Sequence, residues 1–202
     1  MNLDTAQLVA IAATLGWASG LRLYAVVFLT GLAGALGWVD LPSGLLVLQQ
    51  PLLLWASGGM FALEFFADKI PGVDTAWDLV HTVVRIPAGA ALAAGVFGSD
   101  EATWATAAAL LGGTLAATSH VAKATTRAAA NTLPEPFTNL GLSLFGDGVV
   151  PVMLWLSWVH PAAVFVALGV ALVVMVTLVW VFFRFLKALV RRLAPRRQTH
   201  VH

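Results

Sequence analysis

Three strongly apolar stretches of the chain each carry a charge beside a glycine or proline. They read Ser19-Gly20-Leu21-Arg22, Arg85-Ile86-Pro87-Ala88-Gly89, and Gly146-Asp147-Gly148 followed by Pro151. A charge near the middle of a bilayer is costly unless it is paired or wetted, so such residues are functional candidates by default. Gly and Pro loosen a helix at the same level, and helices broken at the midplane are how many transporters build a binding site. The pattern predicts a polar site inside a membrane protein.

Further ionisable residues fall in stripes. Glu64 and Asp68 are one helical turn apart, Asp78, His81 and Arg85 share a face, and His120, Lys123 and Arg127 repeat that spacing. Lipid solvates none of them, so the stripes are expected to turn inward together. That places Asp68 within reach of Lys123 or Arg127; the competing reading makes these interfacial salt bridges that only fix helix packing. At 1.5 Å rise per residue, Arg85 lies roughly 15 Å in from Asp74, Asp147 similarly far in from Phe137, and Glu64 about 6 Å deeper than Asp68. Two arginines, Arg22 and Arg85, then face one firm carboxylate, Asp147, with Glu64 as a second. An excess of positive charge there favours an anionic ligand, because arginine offers carboxylate or phosphate a two-pronged fork. The bland alternative is an Arg85–Asp147 ion pair that merely joins two helices. His81 and His120 are candidates for protonation switches or for ordinary hydrogen-bonding groups, and His160 is expected at an interface.

An enzymatic reading rests on Glu64, Asp68, Asp74 and Asp78, which superficially resemble the aspartate-rich segments of membrane prenyl- and phospho-alcohol transferases that hold Mg²⁺. Oxygen ligands would suit that metal. The spacing fits neither pattern, no second such segment follows, and Lys69 sits among the acids, so the metal question stays open. No metalloprotease, nucleophile-elbow or phosphate-loop motif is present, and no cofactor is implied.

These residues need a scaffold, and composition supplies its class. Of 202 residues 59% are hydrophobic and 10% charged, against about 25% charged in soluble domains; the mean hydropathy is +0.87. An all-α integral membrane protein follows. With 11 Lys and Arg against 10 Asp and Glu, no basic surface for nucleic acid is implied. The chain contains no cysteine, which removes disulfides, thiol catalysis and thiolate metal sites. The start lacks a positive n-region and its apolar run is too long for a signal peptide, so it is expected to be retained.

A span needs about 20 mostly apolar residues, and six fit: roughly 6–38, 51–68, 75–98, 103–125, 137–159 and 162–184. Short connections make residues 1–192 a single polytopic domain, with 193–202 a basic tail. Lys69, Lys123, Arg127 and the tail arginines lie at one side, while Asp40, Asp100 and Glu101 lie at the other. That bias predicts both termini in the cytoplasm. Trp38, Trp55, Trp104 and Trp158 fall where an interfacial belt would lie, whereas Trp17 and Trp180 do not. The sixth span carries no charge from Pro161 to Phe183 and is expected to face lipid, its basic continuation lying along the anionic leaflet. Spans two-plus-three and four-plus-five share a plan, each a charged helix end, a proline turn and a second helix broken at mid-depth. In an alternative, 70–85 and 132–145 are re-entrant half-helices. Gly31 with Ala35, Ala91 with Gly95, and Gly112-Gly113 read as packing positions. Homo-oligomers are compatible with all of this.

The segment Phe66-Ala67-Asp68-Lys69-Ile70-Pro71-Gly72-Val73-Asp74, with Trp77-Asp78 and His81-Thr82, carries a family resemblance. So do His120, Lys123, Ala124 and Arg127 leading to Asn131 and Pro134-Glu135-Pro136, and Gly20-Leu21-Arg22-Leu23-Tyr24. Together they resemble a bacterial family of small multi-pass membrane proteins classed as a domain of unknown function, across most of residues 1–150. That resemblance implies the membrane class and marks the motif residues, and it brings no activity. Lys69-Ile70-Pro71-Gly72-Val73-Asp74-Thr75, with Pro87-Ala88-Gly89 downstream, is also similar to a re-entrant motif of the DedA family of membrane transporters, which implies a lipid-phosphate substrate. Asp74 stands where that motif has an arginine.

The expectation is a membrane transporter of a small anionic solute or lipid phosphate, working from the bilayer and coupled to protons. Arg22, Glu64, Arg85 and Asp147 would bind the substrate. Asp68, Asp74, Asp78, His81, His120, Lys123, Arg127, Asn131 and Glu135 would form the polar pathway. An ion channel on the same pathway, a metal-dependent intramembrane lipid-modifying enzyme, and a scaffold or assembly factor are the alternatives.

Overall fold

Asp4 starts the first helix with a capping box: its carboxylate accepts from Gln7 N at 2.7 Å while the Gln7 side chain accepts from Asp4 N at 3.1 Å. From there α1 runs Thr5–Ala35. Every side chain from Ala10 to Leu23 is buried, because a helix that is apolar or small all round has no face to give to the surroundings. In the computed structural model, which describes residues 3–70, 72–99, 101–132 and 137–193, α1 packs against all the other helices. A 3-10 segment, Ser43–Gln49, leads to α2 (Pro51–Ala67), with Pro51 at the first helical position, where its missing N–H costs nothing. There follow α3 (Val73–Gly95), α4 (Ala102–Ala130), α5 (Phe137–Val159) and α6 (Pro161–Leu193).

The described residues are thus helical throughout. Three helices are long and apolar enough to cross a membrane: α1, α5 and the Pro161–Ala188 part of α6. The 3-10 segment and α2, bent by 71°, make a fourth if the pair is one span. The third helix falls short because Asp74, Asp78 and Arg85 load it with charge, and all three are buried. On α6 the pattern reverses, with Val170, Val174, Trp180 and Phe183 exposed, as suits a surface wetted by lipid. Of the two tryptophans outside the expected belt, Trp17 is core and donates Nε1–H to the Met175 sulfur at 3.4 Å. Gln7 Nε2 donates to Trp158 O at 3.4 Å beside the start of α6, so α1 sets out along α6 and begins at the end of that helix opposite Leu193. Six spans with both termini on one side do not fit that direction.

Breaks were expected in three helices, and the structure puts one only in α1. Arg22 there has φ −146° and ψ 73°, far from helical values. α3 and α5 are each a continuous helix of 23 residues, with Pro87 and Pro151 at the same offset from their starts, 73 to 87 and 137 to 151. An interior proline removes one backbone bond, and here the flanking turns carry the helix through. Residues 73–85 and 137–145 are parts of these unbroken helices; residues 71 and 133–136 of the alternative re-entrant segments 70–85 and 132–145 lie outside the described residues. At the break, α1 lies close against α4: a methyl on Gly20 would overlap Ser119 Oγ and the Ala116 carbonyl. Gly72 makes the turn before α3 with φ +87°, a conformation that favours glycine. Its N–H donates to Asp74 Oδ1 at 2.8 Å, and Thr75 N donates to the same oxygen at 2.6 Å.

Candidate functional site

The stripes do meet. Around the break in α1 the charged side chains form one chain of alternating sign. Glu64 Oε1 lies 2.7 Å from Arg85 Nη2, and Arg85 Nη1 lies 2.8 Å from Asp78 Oδ1. Lys123 Nζ lies 3.0 Å from Asp78 Oδ1 and 3.0 Å from Asp68 Oδ2. Asp68 Oδ2 also takes Arg22 Nη1, whose Nη2 reaches Asp147 Oδ1 at 2.8 Å; Asp147 Oδ2 closes the series on Lys69 Nζ at 2.8 Å. Arg127 spans the middle, 3.1 Å from Asp68 and 3.3 Å from Asp74. An interior of low dielectric makes each contact strong and each orphan expensive, which explains why the charges cluster instead of scattering.

The break positions this cluster. A helix that stops leaves its last carbonyls without partners, and here the cations take them. Lys123 Nζ donates to Leu21 O at 3.0 Å and Arg85 Nη1 to Gly20 O at 3.5 Å. Arg22 Nη2 donates to both Ser143 O and Ser143 Oγ at 3.0 Å.

The expected excess of positive charge is absent. Arg22, Lys69, Arg85, Lys123 and Arg127 stand against Glu64, Asp68, Asp74, Asp78 and Asp147, and every cation faces at least one carboxylate. Pairing of Asp68 with both Lys123 and Arg127 is as the stripes required. Arg85 and Asp147, offered as a helix-joining pair, instead take Glu64 with Asp78, and Arg22 with Lys69. The reason is rotational: Arg85 points toward α2 and its own helix's preceding turns, whereas Asp147 points toward α1. The chain is not fully satisfied. Glu64 Oε2, Asp68 Oδ1 and Arg85 Nε are buried without a hydrogen-bond partner among the described residues.

The two histidines differ. His120 Nε2 lies 2.8 Å from Thr82 Oγ1, which itself donates to Asp78 O at 2.9 Å, while Arg85 Nη1 lies 3.3 Å from His120 Nδ1. A guanidinium only donates, so in the Arg85 contact Nδ1 stands as acceptor. His81 stands apart, stacked on Trp77 with ring centres 4.2 Å apart, edge-on to Tyr24, its Nδ1 2.8 Å from Trp77 O. Asn131 donates to Thr75 Oγ1 at 3.0 Å and more weakly to Asp74, and accepts from Asn139. Glu135 lies outside the described residues, as do the prolines beside it.

A cavity of about 540 Å³ opens beside the cluster between α1, α4, α5 and α6. Its walls are apolar save for Arg22, Lys123, Arg127 and Thr126. Arg85, Glu64 and Asp147 do not line it, so the four expected substrate contacts split, Arg22 at the cavity and Arg85 with Glu64 behind it. Among the described residues no three carboxylates or histidines are placed to hold a metal; Asp68, Asp74 and Asp78 each turn toward Arg127. Two participants were not among the expected site residues. Ser143 precedes Asp147 by four residues and so shares its helix face, a usable signal. Lys69, read from the sequence as a charge at the cytoplasmic side and among the acids, folds back across the Phe65 ring, 3.0 Å from its centre, to reach Asp147.

Residues 9–181 match a family model described as a domain of unknown function (DUF4126). No curated protein and no solved structure matches the chain.

Proposed function

Because the chain belongs to the DUF4126 family, whose description names no activity, we propose from geometry alone that it is a transporter. In this reading it is a polytopic protein of the bacterial inner membrane, with the C-terminal end of α6 in the cytoplasm, that moves an anion past Arg22, Lys123 and Arg127. The observation that carries the reading is that three cations reaching one oxygen, Asp68 Oδ2, all line the 540 Å³ cavity, with Asp68 itself buried behind them. Donors gathered at one point suit the oxygens of a phosphate or carboxylate, and the arginines add their forks. Arg22 also marks the break in α1, and interrupted helices recur at transporter binding sites.

Charge balance supplies the coupling. Five cations already face five carboxylates, so an arriving anion would leave net negative charge in a medium of low dielectric. A proton taken up by Glu64, whose Oε2 is unpartnered, or by Asp147 restores the balance, and anion and proton cross together. Arg85, 0% exposed, holds Glu64 and Asp78 in place rather than touching the ligand. Asp74 and Asn131 lie toward the cytoplasmic approach.

Thermal melting of the purified protein against a panel of anions tests this, since a ligand that prefers the folded state raises the melting temperature by mass action. The expected result is stabilisation by phosphate-bearing anions that is lost in Arg22→Gln and Lys123→Gln variants that still fold. A shift unchanged in both variants rejects the site. In proteoliposomes a carrier saturates with anion and moves protons with it, whereas single-channel currents would make the protein a pore.

A further inference from the structure

Resting on the carrier reading, we propose that the ligand is an amphiphile from the bilayer, a phosphomonoester carrying one hydrocarbon chain. Its head would meet Arg22, Lys123 and Arg127, and its chain would lie in the cavity between α5 and α6.

The placement of polarity argues for this. The three cations all reach Asp68 Oδ2, so the charged part of the wall is one spot. The rest is hydrocarbon, with Val149 and Met153 from α5 and Ala167, Ala171, Val174 and Leu178 from α6. A small hydrophilic anion would give up its hydration to such walls and gain nothing from them. A molecule with one charged end and one apolar end matches both parts at once. The volume of about 540 Å³ falls in the range of roughly 300–1,000 Å³ usual for small-molecule sites.

Access follows from exposure. Phe145 and Val170, which line the cavity, are 70% and 60% exposed. The cavity therefore opens sideways, toward where lipid chains would lie, and a membrane-dissolved ligand reaches it without crossing water. Three cations match the three free oxygens of a phosphomonoester better than the two of a carboxylate.

The test uses the full chain in nanodiscs of zwitterionic lipid and a dodecyl phosphate bearing a photoreactive diazirine on its chain. The expected result is labelling of α5 and α6 peptides that unlabelled dodecyl phosphate competes away. Inorganic phosphate and dodecyltrimethylammonium should need at least about tenfold more, the scale of losing a charge-assisted contact. Ala171→Trp, which fills the cavity away from the cations, should cut labelling at least fivefold; Leu178→Trp serves if that variant does not fold. Competition by inorganic phosphate equal to that by dodecyl phosphate overturns the amphiphile and leaves the carrier reading standing. Equal competition by the trimethylammonium compound overturns the head site. Labelling unaffected by either filling variant overturns the cavity as the tail site. If no anion competes in labelling and none raises the melting temperature, both readings fall.

Discussion

Lys123 Nζ lies 3.0 Å from Asp68 Oδ2, and the same nitrogen lies 3.0 Å from Asp78 Oδ1. That one ammonium joins the Glu64–Arg85–Asp78 half of the charged chain to the Asp68–Arg22–Asp147 half. Asp68 ends α2, Asp78 sits on α3 and Lys123 on α4, so the contact ties these three helices together at the level where α1 is broken.

The partners left behind decide what each substitution does. Asp68→Asn strips three cations of a shared carboxylate at a site that is 0% exposed, and should cost about 3–5 kcal/mol, as breaking a buried pair does. Lys123→Met should cost less, since Asp68 keeps Arg22 and Arg127, and Asp78 keeps Arg85. Residues sharing one network are not additive, so the double variant should lose less than the two singles summed. Equilibrium unfolding in detergent measures all three, and strict additivity would count against a connected chain.

Asp147 offers the contrast. Its side chain is 15% exposed and that of its partner Lys69 17%, so water can take over part of the lost interaction. Asp147→Asn should therefore cost on the order of 1 kcal/mol, well under the loss at Asp68. The same unfolding assay checks the ranking, and an Asp147 loss equal to that of Asp68 would contradict it.

Two glycines are predicted to resist even alanine. Gly72→Ala forces an L-residue into φ +87° and should cost about 1–3 kcal/mol. Gly20→Ala places a methyl against Ser119 Oγ and the Ala116 carbonyl, so α1 and α4 must part just where the cations hold the broken turn. Gly20→Ala should therefore disturb ligand-dependent melting as well as basal stability. Gly72→Ala should lower stability and leave the ligand shift in place. Parallel melts with and without an anion separate the two.

Much of this site was legible because a charge on an apolar helix has few places to go. Glu64, Asp68, Asp78, Arg85, His120 and Arg127 fall in helical stripes, and all are buried. Partner choice was not legible. It depends on how each helix is rotated about its axis, which is why Arg85 meets Glu64 and Asp78 while Asp147 meets Arg22. The break was misjudged for a related reason. Proline is the visible breaker in sequence, yet losing one backbone bond is tolerable within α3 and α5, whereas Arg22 departs from helical geometry with no proline beside it. Lys69 was hidden by its length, since a lysine stem can lie along an aromatic ring and still bring its head to a carboxylate.

The absence of cysteine makes the topology directly measurable, because a single introduced thiol is the only one in the protein. α4 has 29 residues, about 43 Å at 1.5 Å per residue, enough to cross a hydrocarbon core of about 30 Å. Glu101 precedes it and Thr132 follows it, both exposed. If the C-terminal end of α6 is cytoplasmic, Glu101→Cys should react with an impermeant maleimide in intact spheroplasts, and Thr132→Cys only after lysis. The reverse pattern would invert the protein in the membrane and make Lys69, Lys123 and Arg127 external, against the positive-inside rule. Reaction of both from the same side would mean that α4 does not cross, and the polytopic arrangement would be lost with it.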